Sequence, residues 1–265
     1  MWYNQQMAMS WASKRKLVFA SIAIGVVIFL IIVPSFLIFY KAPTCFDKTM
    51  NGDEMGVDCG GSCSRLCQSA FLPVRIEWGS AKLEKVTSGF YSASSYLVNP
   101  NLNGAAVDVP YKVSLYDSNG IFIADRTGLV TLYPHRNSLA FTTGIKTDQR
   151  IPSKASFEFV ESPVWFKSSD QLGGISILDK QYREDENGSS LLVTLQNNNL
   201  TQYKDIQVSV VLYDSSGNVV GFSQTKVDSI DPKKQVTAPF TWPTNRKGSV
   251  TSIEVIPIIR PLPSN

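Results

Sequence analysis

An uncharged run over residues 17–40 constrains this chain more than any other feature of its sequence. The run begins at Leu17 and ends at Tyr40, and as an α-helix it would rise about 36 Å, enough to cross a hydrocarbon core of about 30 Å with some tilt. It is too long for the apolar core of a signal peptide, and the residues that follow it form a poor cleavage site. We therefore predict a retained transmembrane helix that contacts the lipid bilayer.

Three cations, Lys14, Arg15 and Lys16, precede this run and account for the whole formal charge of +3. Basic residues that flank a span stay on the cytoplasmic side. This predicts a short cytoplasmic tail over residues 1–16 and a cell-membrane protein whose bulk is extracytoplasmic. Because the rest of the chain is neutral, its composition argues against a nucleic-acid partner, which would need a sustained basic surface.

The cysteines form one cluster just after the apolar run, at Cys45, Cys59, Cys63 and Cys67. In an oxidising exterior, an even number of clustered cysteines indicates disulfides, and four cysteines allow three pairings. A thiolate zinc site is the alternative, although it normally uses C-x2-C or C-x4-C pairs and a reducing compartment. We expect two disulfides that replace a hydrophobic core in residues 41–69, a segment that we call the collar.

Oxygen-bearing side chains lie between the first two cysteines, and four of them are candidate Ca²⁺ ligands: Asp47, Asn51, Asp53 and Asp58. Calcium takes about six to eight oxygen ligands in a flexible geometry. Their order does not match an EF-hand loop, so we favour solvated turns held by the disulfides over a Ca²⁺ site.

The segment from Cys45 to Cys67 resembles a motif of bacterial surface proteins, approximately C-x-D-G-x-x-N-x-x-E-x-G-x-D-C-G-G-x-C-x-x-C. Lys48 stands where the motif has glycine, and the last two cysteines are separated by one residue more than in the motif. The resemblance implies an exported, disulfide-bonded segment next to the membrane, and it implies no enzyme.

Beyond the collar, apolar and polar residues alternate with a period near two, which is typical of short antiparallel strands. The clearest predicted strands are residues 74–78, 91–98, 111–116, 121–124, 156–159, 191–196, 206–213 and 252–256. Three tryptophans at the borders of this region are expected to plug the core: Trp78, Trp165 and Trp242. The pattern predicts an all-β ectodomain.

Two stretches of the chain are copies of each other. Residues 97–102 (LVNPNL) match residues 195–200 (LQNNNL), and residues 113–120 (VSLYDSNG) match residues 210–217 (VVLYDSSG). The spacing of the copies is the length of one β-sandwich domain, not of a solenoid repeat. We expect the asparagines of the first stretch to satisfy the backbone of a bend.

The second stretch of each copy predicts a hairpin in which Asp117 or Asp214 caps the turn and a glycine adopts a positive φ. This Leu-Tyr-Asp hairpin resembles the bacterial FxLYD domain and, more distantly, the sandwich of type 2 late-embryogenesis-abundant proteins, with valine where phenylalanine is typical. The resemblance and the copies together imply two tandem immunoglobulin-like or FxLYD-like antiparallel β-sandwiches, over residues 70–168 and 172–262. The whole plan resembles uncharacterised single-span surface proteins of candidate-phylum bacteria.

The sequence predicts no catalytic residue, no cofactor and no enzymatic activity. His135 is the only histidine, and a catalytic base would need a positioned partner that no motif supplies. Asp117 and Asp214 could be read as a carboxylate pair, but they fall in separate copies. The predicted function is a structural or protein-interaction module of the cell envelope with an envelope protein as partner. The alternative is an extracytoplasmic protein that binds or senses Ca²⁺ or a small ligand.

Overall fold

The computed structural model describes residues 11–39, 44–77, 81–168, 174–186, 188–243 and 250–260. These residues contain one α-helix, α1 (Trp11–Phe39), and one 3₁₀ turn (Gln68–Ala70). The remaining elements are strands: β1 (Arg75–Ile76), β2 (Lys82–Thr87), β3 (Phe90–Val98), β4 (Gly104–Tyr116), β5 (Phe122–Leu132), β6 (Asn137–Lys146), β7 (Lys154–Phe159), β8 (Phe166–Lys167), β9 (Ile175–Asp185), β10 (Gly188–Asn197), β11 (Tyr203–Tyr213), β12 (Val219–Ile230), β13 (Gln235–Trp242) and β14 (Ser252–Ile258).

Helix α1 is apolar and does not pack against the strands. It begins inside the predicted tail, so the three cations lie in its first turns, while Tyr40 lies outside the described residues. The stretch Lys14–Ser35 is long and apolar enough to cross a membrane, and none of it is buried within the protein. The helix therefore has the length and composition of a membrane anchor or of a signal sequence.

The strands form two sandwiches, and all their pairings are antiparallel. In sandwich 1, one sheet contains β1, β2, β3 and β6 and the other contains β4, β5, β7 and β8. In sandwich 2, the sheets have the orders β13-β10-β9 and β12-β11-β14. Within the described residues, each strand pairs only inside its own sandwich. The all-β class after one helix is confirmed, whereas the domain limits at 70–168 and 172–262 stay predictions.

Alternation of side chains along the central strands builds the two cores. In β4, Val109, Tyr111, Val113 and Leu115 point into one core, and β11 supplies the matching row to the other. Successive side chains of a strand point to opposite faces, so a strand that packs on one face buries every second residue. The central strands were therefore readable from the sequence.

Several strands went unpredicted because they lie at sheet edges or carry many polar residues. Strands β2, β6, β9 and β13 were not expected, and β12 was expected only as a short return of the hairpin. Strands β2 and β9 contain no buried residue, and the buried residues of β6 include the polar Ser138 and Thr142, so the apolar alternation of these strands is weak. The first predicted strand is shortened to β1, and Trp78 lies outside the described residues.

The two Leu-Tyr-Asp hairpins have the same hydrogen bonds. Asp117 Oδ1 accepts bonds of 2.9 Å from the backbone N–H groups two and four residues later. Asp214 Oδ1 accepts the equivalent bonds at 2.9 and 2.8 Å. Gly120 and Gly217 have φ values of +78° and +77°, a region that costs a residue with a Cβ about 1 kcal/mol or more. The predicted capping role of both aspartates is confirmed.

Candidate functional sites: the collar and the contact between the sandwiches

The collar is held by two disulfides, Cys45–Cys63 and Cys59–Cys67. Cys63 and Cys67 are buried, so the sulfur atoms form the centre of a segment that has few apolar side chains. Glu54 lies close to the Cys45 and Cys63 sulfurs, but a disulfide has no thiolate to offer a metal ion. The expectation of two disulfides is confirmed, and one of the three pairings is selected.

The acidic side chains of the collar support its turns. Asp58 Oδ1 accepts hydrogen bonds from the backbone N–H groups of Asp47 at 2.9 Å and Lys48 at 3.1 Å. Asp47 accepts bonds from Thr49 and from Asn51 Nδ2, the latter at 2.8 Å. These contacts bring three of the four candidate Ca²⁺ ligands together around one turn. The carboxylates of Asp47 and Asp58 already accept hydrogen bonds, whereas Asn51 Oδ1 is buried and accepts none from the described residues.

The fourth candidate, Asp53, faces the other end of the collar. Its Oδ1 accepts a hydrogen bond of 2.8 Å from Ser62 Oγ, and its backbone lies against Gly61, where an added Cβ would come within 2.1 Å of the Asp53 carbonyl oxygen. Gly61 therefore permits a close approach of two backbone segments. The expectation of solvated turns, with Ca²⁺ binding as the alternative, stays a prediction.

We expect Lys48→Gly to stabilise the collar. Lys48 occupies the glycine position of the resembling motif and has a φ of +60°, which costs a residue with a Cβ about 1 kcal/mol. The variant should raise the free energy of local opening of the collar, seen as slower amide hydrogen exchange of residues 44–67. The control is Thr49→Gly next to it, which removes a side-chain hydrogen bond without relieving a positive φ. A lower stability of the collar in Lys48→Gly would contradict the conclusion that the positive φ of Lys48 is strained.

Stability should fall in acid because three structural carboxylates titrate below their ordinary pKa of 3.8. Hydrogen bonds from Thr49 and Asn51 lower the pKa of Asp47 to about 2. The Ile121 N–H lowers the pKa of Asp117, and Asn218 lowers that of Asp214. A lowered folded-state pKa stabilises the fold above pH 3.8, and this stabilisation is lost as the pH falls toward 2.

The measurement is the melting temperature of the full chain in detergent between pH 5 and pH 2. Asp47→Asn should flatten the part of the curve that comes from the collar, since the amide does not titrate in this range. An identical pH dependence in Asp47→Asn and the unmodified chain would contradict the role given to this carboxylate.

The collar is docked onto the end of sandwich 1. The Leu66 N–H donates to the Trp165 carbonyl at 2.9 Å, and the Lys167 N–H donates to the Ser64 carbonyl at 2.8 Å. Phe71 stacks on the Trp165 ring with centroids 5.2 Å apart. The collar therefore extends the sheet edge at β8, and Trp165 plugs the junction as predicted for a core tryptophan.

A second pair of contacts fixes the exit from the collar. Asn101 Oδ1 accepts a bond of 2.9 Å from the Leu72 N–H, and Asn101 Nδ2 donates to the Leu72 carbonyl at 3.0 Å. Gly104 leaves room for Phe71, because a Cβ there would lie 2.2 Å from the Phe71 ring. Asn101, in the first copied stretch, thus holds the segment that leads from the collar into sandwich 1.

The two sandwiches meet through a polar cluster of three side chains. The hydroxyl oxygens of Tyr96 and Tyr213 are 2.7 Å apart, and both hydroxyls donate to Glu254 Oε2, at 2.5 and 2.8 Å. Burial and the neighbouring Glu254 carboxylate raise the pKa of Tyr96 well above its usual value, and burial raises that of Tyr213 to about 12. Both phenols therefore stay protonated at neutral pH and keep donating.

An apolar cluster lies beside these tyrosines. Leu139, Val211 and Phe222 are buried together, and the Phe222 ring meets Phe141 edge-on with centroids 5.9 Å apart. Val211 projects from the face of β11 opposite to the core of sandwich 2. Sequence reasoning missed this contact because Tyr213 belongs to the copied Leu-Tyr-Asp motif, and its counterpart Tyr116 packs against Phe122 of its own hairpin.

We expect Tyr96→Phe to lower the free energy of unfolding by about 1 kcal/mol, the typical net value of one hydrogen bond. Tyr213→Phe should have a similar effect, and the double variant should lose less than the sum because the two hydroxyls share Glu254. Denaturant titration of the full chain in detergent measures both. Tyr116→Phe is the matched control, and additive losses would contradict the shared cluster.

An open cleft of about 520 Å³ separates the sandwiches on one side. The turn that carries His135 lines it from sandwich 1, and Ile175, Glu254 and Ile256 line it from sandwich 2. His135 is exposed with a φ of +49°, as expected for a turn residue. Asp117 contacts Arg150 Nη2 at 3.3 Å, and Asp214 contacts its own turn, so each aspartate serves a separate hairpin.

The collar and the two-sandwich fold are therefore built from disulfides, capped hairpins and a tyrosine-lined contact. No protein-family profile and no curated protein matches the chain. Among solved structures, red sea bream transglutaminase is 11% identical with a TM-score of 0.23, over 69% of this chain and 30% of that one. A putative β-galactosidase from Bacteroides fragilis is 14% identical with a TM-score of 0.20, over 65% and 33%. The chain thus spans about a third of their length, and likeness at this level assigns no function.

Proposed function

We propose that this protein is a membrane-anchored structural and interaction module of the cell envelope, without catalytic activity. The observation that supports it is the continuous series of contacts from the collar to sandwich 2. Backbone hydrogen bonds join the collar to sandwich 1, and the Tyr96–Tyr213–Glu254 cluster joins sandwich 1 to sandwich 2. A series of contacts of this kind suits a stiff spacer that holds sandwich 2 at a fixed distance from the membrane.

Two features support the outward placement in this proposal. Disulfides persist in oxidising compartments and are rare in the cytosol, and every cysteine in the described residues is paired. The cations in the first turns of α1 favour a cytoplasmic N-terminus for a helix that remains in the membrane. In this proposal α1 is the anchor and the collar lies at the membrane surface.

The repeated hairpin supports the FxLYD-like character of both sandwiches. Asp117 and Asp214 cap their turns through the same pair of backbone groups. A sequence that keeps this cap in two copies keeps the geometry of the hairpin, and both aspartates use their carboxylates to hold the turn. The proposed activity is therefore binding through sandwich surfaces and edges.

Thiol labelling in intact cells or spheroplasts tests the placement. The native cysteines do not react with maleimides while they remain in disulfides, so one introduced cysteine reports one position. We expect Asn119→Cys, at an exposed hairpin, to react with a membrane-impermeant maleimide, and Ser13→Cys, in the tail, to react only after lysis. Labelling of Ser13→Cys alone would overturn the outward placement.

The interaction part is tested separately by crosslinking whole cells that contain the tagged full chain. We expect envelope proteins to be recovered with the unmodified chain. The control is a chain with Tyr96→Phe and Tyr213→Phe, which keeps the anchor and weakens the spacer. Recovery of no envelope protein, together with a normal envelope in cells that lack this chain, would contradict the proposal.

A further inference from the structure

Within the described part of the chain, sandwich 2 has four edge strands, and three of them are protected against pairing with a further strand. An edge strand exposes N–H and C=O groups that can pair with a second chain. Strand β12 is covered by sandwich 1, where Phe222 meets Phe141 and its N–H donates to Glu84 Oε2 at 3.4 Å. Strands β13 and β14 contain Pro239 and Pro257, and a proline cannot donate to an added strand.

The fourth edge strand, β9, has none of these protections. It pairs with β10 from Asp185 opposite Gly188 to Ile175 opposite Asn197, and the register shift in this ladder, at Leu178, lies outside the regular stretch 179–185. No other strand of the described residues pairs with its free edge. Its sequence, ISILDKQYRED, contains neither proline nor glycine. A long edge strand without such protection is a template for pairing.

The side chains of β9 alternate between the core and the solvent. Asp179, Gln181 and Arg183 are exposed, and Gln181 lies opposite Leu192, which is also on the outer face. Tyr182 packs against the core of sandwich 2. The outer face of β9 therefore presents an acid, an amide and a base in a row, evenly spaced along the strand.

The charged side chains on the inner face are satisfied within the same sandwich. Lys180 Nζ donates to the Ile253 carbonyl of β14 at 2.8 Å, and Glu184 Oε1 accepts a bond of 2.6 Å from the Tyr182 hydroxyl. Inward charges can protect an edge when they lie in the path of an added strand. These two are held toward their own sandwich, so they leave the edge of β9 open.

We propose that β9 pairs with β9 of a second copy of this chain, antiparallel, about a two-fold axis at Gln181. In this register Asp179 of each copy lies opposite Arg183 of the other, and Gln181 lies opposite itself. Opposite charges directly across an antiparallel pair stabilise it, and like charges destabilise it. The two three-stranded sheets would become one sheet of six strands.

The charge pattern selects this register over its neighbours. An axis at Tyr182 would place Asp179 opposite Asp185 in both halves, and an axis at Arg183 would place Arg183 opposite itself. Each of these registers sets like charges face to face, which is unfavourable. The pairing requires only β9 and its outer face, so it does not depend on which side of a membrane the sandwiches occupy.

Cysteine crosslinking of the full chain in membranes tests the pairing. Directly opposite residues of an antiparallel pair have Cα atoms about 4.5 to 5.5 Å apart, which a disulfide can bridge. Gln181→Cys should therefore give disulfide-linked dimer on mild oxidation, seen on non-reducing gels. Asp185→Cys is the matched control on the same exposed face, where the two sulfurs would be about 27 Å apart.

We expect about tenfold more dimer from Gln181→Cys than from Asp185→Cys, because only the first pair meets the distance that a disulfide needs. Equal yields from the two cysteines would reveal random collision and overturn the proposal. Absence of dimer from Gln181→Cys, in protein that keeps its protease resistance, would overturn it as well. Neither result bears on the outward placement, which the labelling of Asn119→Cys measures independently.

Charge reversal in the Gln181→Cys background tests the register. Asp179→Arg alone or Arg183→Asp alone should reduce the dimer yield about fivefold or more, since each sets like charges opposite each other twice. The two reversals together restore opposite charges and should restore the yield. A double variant that dimerises no better than the single variants would overturn the register centred on Gln181.

Discussion

Replacing Asn99 by alanine should lower the free energy of unfolding by about 3 to 5 kcal/mol, because three buried backbone groups lose their partner. Asn99 is 1% exposed. Its Nδ2 donates to the Gly104 carbonyl at 2.9 Å and to the Tyr133 carbonyl at 2.6 Å, and its Oδ1 accepts from the Asn101 N–H at 3.1 Å. The side chain thus closes the bend between β3 and β4.

Asn197 occupies the position in the second copy that Asn99 occupies in the first, so the same substitution there repeats the test. Asn197 Nδ2 donates to the carbonyls of Thr201 at 2.7 Å and Ile230 at 3.1 Å, and its Oδ1 accepts from the Asn199 N–H at 2.9 Å. Asn197→Ala should therefore lose about the same free energy as Asn99→Ala. The asparagines predicted to satisfy the backbone of these bends are confirmed in that role.

Denaturant titration of the full chain in detergent measures both losses. Asn99→Asp is the sharpest variant, because it keeps the shape and replaces the donor to two carbonyls with an acceptor, so it should lose at least as much. Asn119→Ala, at an exposed hairpin, is the control and should change the free energy by less than about 0.5 kcal/mol. If Asn99→Ala and Asn197→Ala each lower the free energy of unfolding by less than about 1 kcal/mol, the two side chains do not stabilise their bends in the way proposed.

Trp165→Ala should lower the free energy of unfolding by about 3 to 5 kcal/mol. It should also release the collar, because the Trp165 ring fills the junction between the collar and sandwich 1. Truncation of a buried tryptophan removes its transfer free energy and leaves a cavity. Trp165 is 2% exposed and stacks on Phe71, and its backbone pairs with Leu66. Without the ring, the bonds that join the collar to β8 lose their shield from water.

Amide hydrogen exchange separates the two effects. In Trp165→Ala, exchange at Leu66 and Lys167 should quicken more than exchange in the core of sandwich 2, which does not contact the junction. Trp165→Phe is the control, since it keeps a ring over Phe71 and should retain most of the protection. Unchanged protection of Leu66 in Trp165→Ala would show that the collar is held by other contacts.

The elements that could be predicted from the sequence were those whose residues form a clear pattern over a short stretch of the chain. The apolar run, the clustered cysteines and the two Leu-Tyr-Asp hairpins each depend on residues that are close together in the sequence. Strand β9 shows the opposite case, because its charges and weak alternation hide a strand of eleven residues. A strand that buries few side chains has little need of an apolar period, so its presence follows only from its pairing with β10.

The sequence by itself determined that this protein has one apolar helix, oxidisable cysteines and two copies of a β-rich unit. These properties follow from composition, spacing and the periodicity of side chains along a strand. Only the tertiary structure decided which cysteines pair, that Tyr96, Tyr213 and Glu254 meet between the sandwiches, and that none of the described strands covers the outer edge of β9. Each of those outcomes depends on which distant segments of the chain come together, and the packing of whole sheets determines that.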